Sequence, residues 1–360
     1  MNNIKALIMF ITTISLIFYI FSFITVMMLN ILFERKISVK LNLLYSLIIL
    51  AVFYIFMFTG RGFDIPFLFN LGFYLGVLIM YALLFAIILK LSGFIYNPGP
   101  KVNLILMISL IFACFSYGIY NAHGLKIKTV NLSSAKINKP YKFVQISDVH
   151  LGTESLDYLD TVVSEVNSLE PDLVFITGDL LDDHKLRPEN VIGLADLSSP
   201  AYFITGNHER YSMYTDEFFE KCLTVTVLDH FRRQDDFNED VTVFGIEWNR
   251  NNFANRRSEQ IIFFDSIKVD DSKFNIFLNH EPALVEEAAQ NGMDLMLSGH
   301  THSGQIFPFN FFVRLRYKFI YGLYRIGNMD LYVTSGTGVW GPFMRVGSDN
   351  EIVEINLTPE

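Results

Sequence analysis

The chain has 360 residues, of which 51% are apolar and 18% charged, with a formal net charge of −9. It is too apolar to be a disordered polymer, and too acidic to hold nucleic acid through a sequence-independent basic surface. Its two cysteines, Cys114 and Cys222, exclude a disulfide framework or a thiolate zinc site.

The first third reads as four apolar runs, Ala6–Phe33, Leu41–Thr59, Ile65–Leu91 and Val102–Tyr120. Each is near or beyond the roughly 18 to 20 residues a helix needs to cross a bilayer, and charge is almost absent within them. The first is too long for a signal-peptide core and lacks a small-residue cleavage site, so it reads as a retained anchor. Residues 1–121 carry about +5, so with −9 for the whole chain residues 122–360 carry about −14. The expectation is therefore a four-span integral membrane region followed by one acidic domain. Arg35, Lys36 and Lys40 follow span one, Lys90 and Lys101 lie at the end of span three and in the loop after it, and Lys5 and Arg61 lie on the opposite side. The positive-inside rule then puts the acidic domain outside the cytoplasm. Lys126, Lys128, Lys136 and Lys139 pull the other way, but they belong to a large domain, whose charges count less.

Beyond the spans, the segment at 139–152, "KPYKFVQISDVHLG", is a strand running into a glycine turn. Leu156, Leu159, Val163, Val166 and Leu169 recur at helical spacing. "PDLVFITGD", "SSPAYFITGNHE" and "KFNIFLNHEP" are further buried strands, "ALVEEAAQ" a helix and "MDLMLSGHTH" another strand. Alternating strands and helices predict an α/β domain with a single core.

The polar residues of interest come where these strands end: Asp148 and His150, Asp179, Asn207 and His208, His280, then His300 and His302. Ligands of α/β sheets gather at the carboxyl ends of strands, so five of the chain's eight histidines can converge there. Taken singly, each Asp or Asn is equally a cap or turn residue. Carboxylate, amide and imidazole without thiolate suit Mn, Fe or Zn. Seven such ligands are too many for one ion and enough for two, the arrangement that clamps a displacement at phosphorus.

In order and spacing, D-x-H at Asp148–His150, G-D-x-x-D at Gly178–Asp182, G-N-H-E at Gly206–Glu209, N-H-E-P at Asn279–Pro282 and G-H-T-H at Gly299–His302 resemble the calcineurin-like metallophosphoesterases. The resemblance covers roughly residues 125–357. It implies a sandwich of two mixed sheets flanked by helices. Asp148, His150 and His302 would hold one metal ion, Asn207, His280 and His300 a second, with Asp179 bridging. His208 would be the general acid, oriented by Asp182, with the attacking hydroxide activated by the metals. The tail, "GHTHSGQIFPF" followed by "LYVTSGTGVWGPFMRVG", is similar to a membrane-associated branch that includes phosphodiesterases and UDP-diacylglucosamine hydrolases. That branch implies a phosphate contact for Arg345, whose alternative is an ordinary surface residue; Arg210 is open in the same way. His184 and His230 match no motif, His123 reads as interfacial, and Trp248 and Trp340 read as packing residues.

The expectation that follows is a membrane-anchored two-metal hydrolase of a phosphodiester or pyrophosphate bond. Its partners would be the lipid bilayer and a phosphorylated small-molecule or lipid-linked substrate. A phosphomonoesterase, or a receptor or scaffold using the same domain for binding, are the alternatives.

Overall fold

A computed structural model of the protein describes residues 2–63, 65–182, 186, 188–209, 225–229, 232–248 and 263–360. Arg210, Cys222, His184 and His230 lie outside these. The chain divides into two compact units, Met1–Tyr117 and Gly118–Glu360.

The apolar runs form four helices, α1 (Asn2–Leu32), α2 (Val39–Gly62), α3 (Pro66–Ser92) and α4 (Pro100–Ala122). All four are long and apolar enough to cross a bilayer; even α4, with 23 residues, is about 34 Å long at 1.5 Å per residue. Their ends follow local chemistry. The Ser38 hydroxyl accepts the Leu41 N–H at the start of α2, and Pro66, which has no N–H to satisfy, opens α3. The Asn30 side-chain amide donates to Asn42 Oδ1 at 2.7 Å, a polar tie between α1 and α2. The last turn of α4, from Gly118, belongs to the second unit.

The second unit contains two six-stranded mixed sheets. The first comprises β1 (Leu125–Ser134), β2 (Tyr141–Ile146), β3 (Leu173–Ile176), β4 (Ala201–Phe203), β5 (Val225–Val227) and β12 (Asn350–Pro359), in the order β1-β12-β2-β3-β4-β5. The second comprises β6 (Gln234–Asp236), β7 (Val241–Ile246), β8 (Phe274–Asn279), β9 (Leu295–Ser298), β10 (Gly322–Ile326) and β11 (Met329–Val333), in the order β10-β11-β9-β8-β7-β6. Helices α5 (Leu156–Ser168), α6 (Val285–Gln290) and α7 (Asn310–Arg316) complete it, with a 3-10 segment at Pro188–Asp196. The expected α/β sandwich of two mixed sheets is present. β1, β12, β5–β7 and β10–β11 were not expected from the sequence; they flank the strands that were.

Alternation along β2 and β3 explains the layering. Phe143 and Phe175 point between the sheets, with Ile276, Leu278, Leu295 and Leu297 from the other sheet. Their neighbours Val144, Ile146, Val174 and Ile176 point outward and are covered by Leu159, Val162, Val163 and Val166 of α5. On the far side, Phe277, Met296 and Leu331 meet Val285 and Ala288 of α6. Strands buried on both faces read as unbroken apolar runs, which is why they stood out in the sequence. The parallel neighbours β2-β3-β4 and β9-β8 bring their carboxyl ends together, and the polar residues following those ends fall into one region.

Candidate metal centre

Two groups of ligand atoms assemble there. In the first, His150 Nε2 and His302 Nε2 face each other at 3.0 Å, and Asp148 Oδ1 lies 3.3 Å from His302 Nε2 and 3.9 Å from His150 Nε2. In the second, three atoms converge on His280 Nε2: Asp179 Oδ2 at 3.1 Å, His300 Nδ1 at 3.2 Å and Asn207 Oδ1 at 3.3 Å. Among the described residues three triads of His and Asp are compact enough to hold an ion: Asp148–His150–His302, Asp179–His280–His300, and His150–Asp182–His208, which shares His150 with the first. Imidazole nitrogens pointing at one another inside a buried region, with carboxylates beside them, are donor sets that fit divalent Mn, Fe or Zn.

The backbone bends sharply to achieve this. Asp148, His150, Asp179, His300 and His302 all hold positive φ, between 49° and 70°, a region that non-glycine residues rarely enter. Two glycines make room. A Cβ at Gly206 would lie 2.2 Å from Asp179 Oδ1, and one at Gly299 would lie 2.1 Å from Asp148 Oδ2. Hydrogen bonds fix the bends: the Asp148 N–H donates to the Gly178 carbonyl at 2.9 Å and the His150 N–H to that of Asp179 at 3.0 Å. His280 Nδ1 lies 2.8 Å from the Thr177 carbonyl, which turns Nε2 toward Asp179.

The electrostatics suit cation binding. Burial alone would raise both carboxyls, but the facing imidazoles prevail. His302 holds Asp148 well below the usual carboxylate range, and His280 holds Asp179 below it. His150 also acts on Asp179 and His280 on Asp148, so the two groups share one field. Burial pushes His300 and His302 down to about 4, leaving both neutral at pH 7, the form of imidazole that binds a cation. His280 is also penalised by burial, but Asp179 and Asp148 outweigh this and raise it to about 10.

His208 stands beside the first group, its ring 4.8 Å from that of His150. Its Nδ1 meets Asp182 Oδ1, and Asp182 Oδ2 accepts from Thr153 Oγ1 at 2.6 Å. Burial lowers His208, but the charges of Asp179, Asp182 and Glu209 prevail and raise it to about 9.

Arg345 is not at the surface. It is fully buried, with Nη2 donating to the carbonyls of Ser335 and Gly338 at 2.7 and 2.6 Å and Nη1 to Ser348 Oγ at 3.1 Å. Nη2 also lies 3.3 Å from His302 Nδ1. A guanidinium committed to backbone carbonyls is placed to hold the loop around His302, so this geometry does not favour the phosphate contact expected from the sequence. His123 packs against the Phe343 ring. Trp248 is buried and donates Nε1–H to Glu281. Trp340 instead remains 45% exposed, its ring 5.9 Å from that of His208.

Two residues were given no role by the sequence, although Glu209 closes the G-N-H-E motif. Glu209 is buried and accepts the backbone N–H groups of Asp179, Leu180, Leu181 and Gly206, so one carboxylate pins the Asp179 turn to the Asn207 turn. A glutamate closing an otherwise small, polar turn was the available signal. Tyr317, whose hydroxyl lies 2.8 Å from His300 Nε2, had none.

Known proteins resemble this chain in sequence. Residues 141–304 match the family model described as calcineurin-like phosphoesterase. An uncharacterized metallophosphoesterase of Campylobacter jejuni is 34% identical over 71% of this chain and 68% of its own length. The chain belongs to the calcineurin-like metallophosphoesterases. A Bos taurus protein named as a transmembrane protein with metallophosphoesterase domain is 34% identical over 60% of this chain, which covers 52% of that protein. Among solved structures, a dimetal phosphatase from Danio rerio is similar at 12% identity and a TM-score of 0.35, over 55% of this chain and 88% of that one. Membership in this family gives the metallophosphoesterase unit its chemical class, metal-dependent hydrolysis of phosphoric esters.

Proposed function

We propose that this metallophosphoesterase is anchored in a membrane by α1–α4 and hydrolyses a phosphodiester or pyrophosphate bond with two divalent cations. The observation that carries the reading is the convergence of Asp179, Asn207 and His300 on His280, beside the separate Asp148–His150–His302 group. Asp148, His150 and His302 would hold one cation, Asn207, His280 and His300 the other, with Asp179 shared between them. Two bound cations supply neutralisation of phosphoryl charge and a lowered pKa for water. They also explain how an acidic domain receives an anionic substrate.

His208, protonated near neutrality, gives its proton to the departing oxygen. Asp182 orients the ring through Nδ1, so the proton transferred is the one on Nε2. Arg345 steadies the loop around His302. The metallophosphoesterase unit lies outside the cytoplasm, a reading supported by the basic loops after the first and third spans; a reporter fused after Glu360 tests it by its accessibility in intact cells.

The full chain in nanodiscs, loaded with Mn²⁺, is to be assayed on bis-p-nitrophenyl phosphate and on p-nitrophenyl phosphate beside His302→Ala. Diester turnover that the substitution abolishes is expected. A strong preference for the monoester would replace the proposal with a phosphomonoesterase. Absence of metal-dependent turnover on either, from folded metal-loaded protein, would favour a binding role.

A further inference from the structure

The segment between His302 and Tyr317 leaves the metal site and returns to it, since Tyr317 bonds His300. Between these two anchors it displays Phe307, Phe309, Phe311, Phe312 and Leu315, each between 42% and 85% exposed. Helix α7, which carries most of them, has no buried residue. The rings pair with one another, Phe307 with Phe311 at 5.8 Å and Phe309 with Phe312 at 5.9 Å, instead of entering a core. Arg314 and Arg316 occupy the last turn. A contiguous apolar face of this kind, edged by cations, matches a surface that seats in lipid headgroups.

The chain itself indicates the occupant. The Phe307 N–H donates to the Val346 carbonyl at 2.7 Å, and the Arg345 N–H donates to the carbonyl of Gly118 in the last turn of α4 at 2.9 Å. In the same turn, Asn121 Nδ2 donates to the Ser348 carbonyl at 2.8 Å, and the Ala122 carbonyl accepts from Asn350 Nδ2 at 2.7 Å. The phenylalanine segment is therefore bonded, through 345–350, to the end of a helix apolar enough to span a bilayer.

We infer that the Phe307–Arg316 segment is a membrane-seated rim of the metal centre, resting in an anionic bilayer surface so that the site meets phosphates held in the headgroup layer. The inference rests on the two-metal reading for the chemistry and on the spanning of α4 for the seat. It narrows the substrate to a phosphoric ester embedded in lipid.

Two measurements test it on the full chain in phosphatidylethanolamine–phosphatidylglycerol nanodiscs. First, Leu315→Cys, with Cys114 and Cys222 replaced by serine, carries an NBD fluorophore; the control is Ile192→Cys, another exposed position. Blue-shifted emission at 315, quenched by headgroup-proximal doxyl lipid, with water-like emission at 192, is expected. Water-like emission at 315 would overturn the seat. So would a blue shift that doxyl lipid does not quench, which would assign the face to a protein partner such as a second copy. Second, Phe309→Ser/Phe311→Ser/Phe312→Ser should lose about tenfold or more of its turnover of a diacylglycerol-phospho-p-nitrophenol in the bilayer, while bis-p-nitrophenyl phosphate is hydrolysed as before. Equal retention of both would overturn the lipid substrate. Loss of all turnover in the unsubstituted protein would refute the two-metal reading, and the fluorophore would still decide the seat.

Discussion

Five of the seven proposed ligands hold backbone angles that cost on the order of 1–3 kcal/mol each. Such angles persist only where surrounding bonds impose them, as Glu209 does with four backbone N–H groups. The strain aims side chains from successive residues into one small volume. His208 is the residue whose role is most open to direct measurement. It is held up to about 9, so its acid form is present below that pH and lost as pH rises through it, and bound cations shift the transition lower. The kcat/KM profile should therefore fall on an alkaline limb at or below about 9. His208→Asn should remove that limb and cost about 10²- to 10⁴-fold in rate, with metal content unchanged by elemental analysis. A retained limb would assign it to another group.

At the scale of elements, the site is only as firm as the sheets that carry it. β2, β3 and β4 supply three of the turns and β8 and β9 the other two, and the side chains between the sheets set the distance across which Asp179 meets His280. Phe175 is central to that layer: it is fully buried and its ring meets Phe143 edge-on at 5.6 Å. Phe175→Ala should destabilise the fold by about 3–5 kcal/mol, mostly from the cavity it leaves, and should weaken metal binding as the sheets relax. Chemical unfolding of the full chain in detergent would measure it. A loss under about 1 kcal/mol would mean that the two sheets do not share a rigid core there.

For the whole molecule, metal and fold are linked. A cation that binds only the native state stabilises it by about 2.7 kcal/mol at a hundredfold excess over Kd. Chelation should therefore lower the melting temperature and Mn²⁺ should restore it. His280 is raised to about 10 and, with Nδ1 turned to Thr177, must release the proton on Nε2 to act as a ligand. Binding should thus release protons, and affinity should rise from pH 6 to pH 8. Calorimetric titration in buffers of different ionisation enthalpy reads both; affinity independent of pH, with no proton released, would remove His280 from the ligand set.

The amino-acid sequence by itself determined what depends on local pattern. Four nearly uncharged runs of this length satisfy their backbone without water as helices, and strands buried on both faces announce themselves as apolar runs closed by Asp, Asn or His. The motif residues were therefore visible before any fold was known. Only the tertiary structure decided what depends on neighbours distant in the chain. Arg345 sits beside His302 because β12 returns to pair with β2, and that pairing buries a residue the sequence left open between substrate contact and surface. Tyr317 reaches His300, and Glu209 gathers four N–H groups, through loops whose course no periodicity encodes. The exposed phenylalanines carry no such signal, since hydrophobicity alone does not say whether protein or another apolar phase will cover them.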